Sequence, residues 1–293
     1  MEKSKVYFTP EITPQALVRI YRAMGAELKG SVAVKISTGE PGGHNFLNPN
    51  LIKDLVQELK GTIVECNTAY EGRRNTSEAH WHTMEEHGFT AIAPCDLLDE
   101  EGDMALPVEG GKHLRENYVG THLKEYGSML MLSHFKGHAM GGFGGAVKNI
   151  SIGIASSAGK AWIHSAGKTK NAAQMWGNLP AQDDFLESMA EAAKSVADHC
   201  GEKILYINVM NNLSVDCDCD AHPEDPKMGD IGILASTDPV ALDKACVDLV
   251  YASPDPGKVH LIERMESRHG IHTLEHGEAI GLGSQQYELV ELE

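Results

Sequence analysis

From about residue 13 to residue 93 the chain alternates between apolar residues at helical spacing and short β-branched runs, and few architectures accept such a pattern. Thr13 followed by Pro14 sets a helix start, with Leu17, Ile20, Tyr21 and Met24 on one face and Gly25 as the stop. Residues 32–36 read as a strand. Pro49 opens a second helix with Leu51, Ile52, Leu55, Val56 and Leu59 along one side. Residues 62–66 read as a strand, 77–87 as a helix ended by Gly88, and 89–93 as a further strand. Strands separated by helices pair in parallel, because the helix carries the chain back to the same edge. The expected fold class is α/β, a mainly parallel sheet flanked by helices.

The second half continues the theme less regularly. Residues 128–132, SMLML, read as a buried strand, and 183–200 as a helix with an acidic first turn and Gly201 beyond its end. Residues 204–209 and 231–235 read as strands, and 238–251 as a helix capped by Asp238 with Pro239 in its first turn. Residues 96–117 and 156–179 carry weak patterns and read as surface or lid segments. No tandem repeat or low-complexity linker interrupts the chain. One compact unit covering 1–293 is expected, with lobes 1–122 and 123–293 where a boundary near residue 122 would divide it.

Composition removes several function classes. A net charge of −17 argues against sequence-independent nucleic-acid binding. No apolar run approaches the ~18 residues of a membrane span, and MEKSKVYF lacks a secretory core, so no membrane partner and a cytoplasmic setting are expected. Of six cysteines, Cys66, Cys95, Cys200 and Cys246 stand singly in apolar or helical contexts and read as small buried hydrophobes. Cys217 and Cys219 do not.

Residues 133–149, SHFKGHAMGGFGGAVKN, place His134, Lys136, His138 and Lys148 around five glycines, directly after a predicted strand. Open α/β sheets put ligands at that edge. Imidazoles move protons or ligate metals, and lysines bind anions or form adducts. Gly142 and Gly145 allow close backbone approach to a bound group, and Asn149 follows Lys148. Lys35 ends the strand before a second glycine-bearing loop, KISTGEPGGHNFLN, which a helix N-terminus could turn into an anion site. Glu65 and Asn67 end the next strand, and of His80 and His82 only one can point toward the same place. His164 follows in GKAWIHS. DCDCDAHPED then gathers Cys217, Cys219, His222 and five carboxylates, donors that suit zinc, nickel or iron. In an extended segment the two cysteines share one face and Asp216, Asp218 and Asp220 the other. An acidic surround raises a thiol's pKa, which makes a bound cation the coherent reason for clustering these groups.

HFKGH…GGAVKN, NNLSVDCDCD and GDIGILASTDPVALD, in that order, resemble the family called domain of unknown function 362 over nearly the whole chain. Many members carry a ferredoxin-like insert with CxxCxxC runs between the glycine loop and DCDCD. This chain has only Cys200 in that interval, so a four-iron cluster is not expected. HAMGGFGGAVKNISIG is also similar to a stretch of the nickel-dependent lactate racemases. That resemblance implies a nickel-pincer nucleotide on Lys148, an acid/base histidine at His138 and a nickel ligand at His164, although the segment ends ISIG where a proline is expected.

The expected function is a metal-dependent enzyme acting on a small anionic organic substrate, by proton or hydride transfer as in racemases. Lys136 and Lys148 would bind the anion, and His134 and His138 would act as acid/base or ligand. The alternative is a non-enzymatic protein that handles metal or iron–sulfur clusters, with a redox or metal-delivery protein as partner. Oligomeric state is not legible.

Overall fold

Every residue of Ser128–His134 is buried, which places this strand inside a sheet covered on both faces. The computed structural model describes residues 3–292. Its first half runs β1 (Ser4–Thr9), α1 (Pro14–Ala23), β2 (Val32–Lys35), α2 (Pro49–Glu58), β3 (Thr62–Glu65), α3 (Ser77–Glu86) and β4 (Cys95–Leu97). A hairpin, β5 (Asp103–Pro107) and β6 (Glu116–Gly120), leads to β7 (Ser128–His134). Then come β8 (Lys136–His138), β9 (Gly142–Gly144), α4 (Ala146–Ser151), α5 (Ser157–His164), α6 (Gln182–Cys200) and β10 (Ile204–Met210). The chain closes with β11 (Gly232–Ser236), α7 (Pro239–Ala252), α8 (Lys258–Ser267), α9 (His272–Ala279) and β12 (Tyr287–Glu291).

The main sheet has the order β12-β1-β11-β10-β7-β2-β3-β4. From β10 to β4 all pairs are parallel, and β11 runs antiparallel to both of its neighbours. Alternate residues of β7 serve the two faces. Leu130 and Leu132 pack with α1 and α2 residues such as Leu17, Ile20, Ile52 and Leu55. Met129 and Met131 pack with α4, α6 and α7 through Val147, Ile150, Val196 and Ala245. The helix starts obey the expected chemistry: Thr13 Oγ1 accepts from Ala16 N–H, and Asp238 Oδ1 accepts from Val240 and Ala241 N–H.

The fold is α/β with a mainly parallel sheet in one compact domain, but three local expectations need correction. Residues 89–93 are a turn, not a strand. Phe89 and Ile92 plug the core beside α2, and the edge strand is the next segment, β4. Residues 96–117 hold most of a hairpin instead of a plain surface loop. Residues 156–179 contain the helix α5, whose inner face is buried. Among the described residues no helix is long and apolar enough to cross a membrane.

The carboxyl ends of β2, β3, β7 and β10 share one edge, since these strands run the same way. The glycine segment there is a short β8–β9 hairpin followed by α4. Asp243 of α7, fully buried, anchors it: its carboxylate accepts from Ala146 N–H at 2.7 Å, Val147 N–H at 2.9 Å and Asn208 Nδ2 at 2.7 Å. Truncation would leave two backbone donors unpaired, each costing about 1–3 kcal/mol. Asp243→Ala should therefore lower urea-unfolding stability by roughly 3 kcal/mol, and Asp243→Asn, which keeps one acceptor oxygen, by clearly less.

Candidate functional site

At this edge lies a cavity of about 840 Å³, including its open mouth. Its walls draw Lys35 from β2, Glu65 from β3, His134 from β7, Lys148 from α4, His164 from α5 and Cys217 from the β10–β11 connection. The glycine segment and DCDCD thus converge although about seventy residues separate them. That follows from β7 and β10 being parallel neighbours, with His134 opposite Val209.

Paired charges hold the walls. Asp218, between the two cysteines, faces His134 Nδ1 at 2.8 Å and Lys136 Nζ at 2.9 Å. Burial opposes its ionisation, but His134 and Lys136 outweigh burial and hold the carboxyl below its ordinary range. Glu65 meets Lys35 Nζ at 2.8 Å and Arg74 at 3.5 Å, and Arg74 Nε donates to Glu40 at 2.8 Å. Against strong burial, Lys35, His80 and Arg74 bring the Glu65 carboxyl down to about 2.

Several expected site residues are occupied by these pairings. His134 has Asp218 on Nδ1 and the Asn211 carbonyl on Nε2 at 2.6 Å, so neither nitrogen is left for a substrate or metal. Lys136 is committed to Asp218 and to the His134 carbonyl. Lys35 is held by Glu65, the Ile36 carbonyl and Asn149 Oδ1. Asn149 Nδ2 donates to the Lys35 carbonyl and Ser133 Oγ, tying α4 to two strands. Gly142, at φ +79°, abuts Gly270 Cα and the Met265 backbone, so its missing Cβ serves packing and not a ligand. A Cβ on Gly145 would lie 2.3 Å from Asp243 Oδ1. His222 is exposed and lies outside the cavity wall.

Four groups remain facing the cavity without a carboxylate. Lys148 Nζ has Cys217 Sγ at 3.8 Å, and Lys160 Nζ has the Ala155 and Cys66 carbonyls at 2.6 and 3.5 Å. Among the described residues no carboxylate lies within ion-pair distance of either amine. Burial pulls the Lys160 amine below its ordinary range. His138 Nδ1 accepts Gly141 N–H at 2.8 Å and Met140 N–H at 3.3 Å, so the ring of neutral His138 carries its proton on Nε2. Burial, then Lys148, push its pKa well below the ordinary imidazole value. His164 has the opposite tautomer: Nδ1–H donates to the Lys160 carbonyl at 2.7 Å, leaving the Nε2 lone pair unused, and burial brings it to about 4. Phe185 packs against its ring at 5.1 Å.

Cys217 and Cys219 lie on the same side of their turn, within 4.8 Å of one another and of His138. The acidic surround expected to raise both thiols is not what Cys217 meets. A hydrogen bond from the Cys219 thiol, then the Lys148 and Lys136 ammonium groups, hold the Cys217 thiol well below its ordinary range despite burial. Cys219 keeps the proton and is held above. Both cysteines and His138 also line a second, outer cleft with Glu71, Asp216 and Asp220.

Sequence reasoning missed Arg74, Tyr70 and Lys160. Tyr70 bridges, accepting from Arg74 and donating to the Cys219 carbonyl. Lys160 was detectable: it stands four residues before His164 and so shares its helix face. Nothing in the sequence pairs Arg74 with Glu40 or Glu65.

The model of the family described as a domain of unknown function (DUF362) matches residues 32–248. No curated protein matches the chain. Among solved structures, the chain is similar to the lactate racemase apoprotein from Thermoanaerobacterium thermosaccharolyticum, at 12% identity and a TM-score of 0.47, covering 84% of this chain and 57% of that one. It is also similar to a structural-genomics protein from Thermotoga maritima, at 14% identity and a TM-score of 0.43, covering 80% of this chain and 57% of that one. The chain thus spans 57% of the length of each, and likenesses of this size say nothing about activity.

The buried histidines give the molecule an acid limit. Folded pKa values of about 3 for His80 and about 4 for His164 lie below the ordinary 6.5. Between these values the unfolded chain binds more protons than the folded one, so stability falls as pH drops from 6.5 toward 4. Glu65, at about 2 against 4.5, adds a further loss below pH 4.5. Urea midpoints measured across this range should decline from pH 6.5 downward, and His164→Gln should flatten the part between 6.5 and 4.

Proposed function

Since this chain belongs to the family described as a domain of unknown function (DUF362), a description that carries no activity, we propose a function from the cavity itself. The protein is an enzyme that holds a small organic anion in the inner cavity and transfers a proton or hydride at the carbon beside its carboxylate, a racemase-like reaction. The observation that supports this reading is the pair of amines, Lys148 and Lys160, neither of which has a carboxylate within ion-pair distance among the described residues, on the wall that also carries two neutral imidazoles. Lys160 is buried and Lys148 half-buried, and a cation held away from water without an ion-pair partner costs a fold free energy that an anionic ligand offsets.

Each group has a role its hydrogen bonds permit. Lys148 and Lys160 attract and orient the carboxylate. His138, with its proton on Nε2 and Nδ1 held by backbone N–H groups, donates a hydrogen bond to a substrate oxygen on which charge develops. It is a poorer base than expected, because a base needs that Nε2 lone pair free. His164 Nε2 is the unused ring lone pair, available to a proton or a metal. Met175 and Trp176 line the same cavity, and Trp176 is 54% exposed.

The nickel-pincer nucleotide implied by the motif resemblance fits these residues: Lys148 has no carboxylate partner, and the His164 tautomer is the one a nickel ligand requires. Lys148 would carry the nucleotide and His164 would hold the metal, and when bound the group supplies a hydride acceptor.

Lactate in deuterated buffer serves as probe for protein purified without oxygen. Inversion with deuterium at the carbon beside the carboxylate reports proton transfer, and inversion without it reports hydride transfer. Intact mass and nickel content show whether Lys148 is loaded. Lys148→Met and His164→Ala should abolish turnover, and Lys148→Met should leave stability within about 1 kcal/mol of the parent or raise it. Absence of any exchange or binding across a set of small 2-hydroxy and 2-amino acids, with unfolding of both variants, would refute the reading.

A further inference from the structure

The roles above leave Cys217 and Cys219 unused, although both reach the wall between the inner cavity and the outer cleft. Their sulfur atoms and a His138 nitrogen all lie within 4.8 Å of one another. The turn that carries them is fixed in advance. Asp218 is held by His134 and Lys136, and its carbonyl accepts Glu40 N–H at 2.8 Å. Both sulfurs are presented on one side of this braced turn.

The neighbouring histidine does not complete a zinc-like set. Its Nδ1 already accepts two backbone N–H groups and its Nε2 carries the proton, so ligation requires a change of tautomer and the loss of the Gly141 bond. Structural zinc takes about four donors, and two thiolates fall short. Two soft thiolates do suit copper(I), which accepts low coordination numbers. Charge agrees with that choice. Lys148 Nζ stands 3.8 Å from Cys217 Sγ. Two thiolates, one ammonium and one monovalent ion cancel, whereas a divalent ion leaves an uncompensated positive charge in a buried place. Along the outer cleft Asp216 is paired with Arg264 and Arg73 with Glu86, which leaves the carboxylates of Glu71 and Asp220 to favour entry of a cation from that side, while the inner cavity presents amines.

We propose that Cys217 and Cys219 form a two-thiolate site for a soft monovalent metal ion of the copper(I) class, loaded from the outer cleft, with His138 beside it as a hydrogen-bond donor and not a ligand. Binding displaces the one proton that Cys219 shares with the Cys217 thiolate, and that proton goes to solvent while no electron is transferred. The site shares His138 and Lys148 with the inner cavity wall, and it is the protein without a nucleotide on Lys148 that takes the ion.

Anaerobic titration of the full chain with copper(I), competed against a chromogenic copper(I) chelator, tests this, and circular dichroism verifies the fold of each variant. One equivalent should bind, with X-ray absorption showing sulfur ligands only. Cys217→Ser and Cys219→Ser should each weaken binding by more than the roughly 10–100-fold that loss of a supporting residue costs. His138→Gln, which keeps a donor, should stay within about tenfold. His164→Ala should bind copper(I) like the parent, and so separates this site from the proposed catalysis. No stoichiometric binding by the parent protein would overturn the proposal. So would serine variants that bind equally well, or a loss on His138→Gln as large as on either cysteine, which would mark a three-donor site.

Discussion

The carboxylate of Asp218 fixes the carboxyl edge of the sheet. A buried anion is tolerated only when paired and hydrogen-bonded, and removing one partner leaves the other charge stranded at a cost of several kcal/mol. Here the partners are His134, the last residue of β7, and Lys136, the first of β8, while Asp218 belongs to the connection after β10. One interaction therefore joins the ends of two adjacent parallel strands to the start of the glycine hairpin. The sulfurs on either side of Asp218 and the hairpin that leads to Lys148 take their positions from it.

Around that anchor the edge sorts its charges. Lys35, Glu65, Arg74 and Glu40 neutralise one another within a buried network. Lys148 and Lys160, a few residues away along α4 and α5, face only carbonyl oxygens and a sulfur. The paired groups build the wall and the unpaired ones leave a ligand something to do. The same division applies to three histidines of one residue type. His134 is bound on both nitrogens, His138 offers a proton, and His164 offers a lone pair. Their chemistry is set by which backbone groups the fold places beside each ring.

Much of the fold was legible because its signals are local. Thr13–Pro14, Pro49 and Asp238–Pro239 announce helices by the chemistry of their first turns, and each opens one. The buried run at β7 and the helix–strand alternation define parallel crossovers. Residues 89–93 misled because a short apolar run fits a core-plugging turn as well as a strand. The strand β1 became visible only in the structure, and residues 231–235, legible as a strand, revealed their antiparallel direction only in the sheet, where pairing partners more than two hundred residues apart meet.

For the site, sequence spacing nominated the right segments and could not rank the residues within them. By itself the sequence determined an α/β architecture, a glycine-bearing edge after a buried strand, and a pair of cysteines sharing one side of their turn, because cap geometry and alternation act between near neighbours. Tertiary structure alone decided that Lys35, Lys136 and His134 are consumed in pairings while Lys148, Lys160 and His164 are left over. Which charges cancel depends on distances between segments far apart in the chain. It was likewise packing that set the Cys217 thiol low in a segment dense with aspartates, since the fold turns Asp218 toward His134 and Lys136 and brings the Lys148 amine to the sulfur.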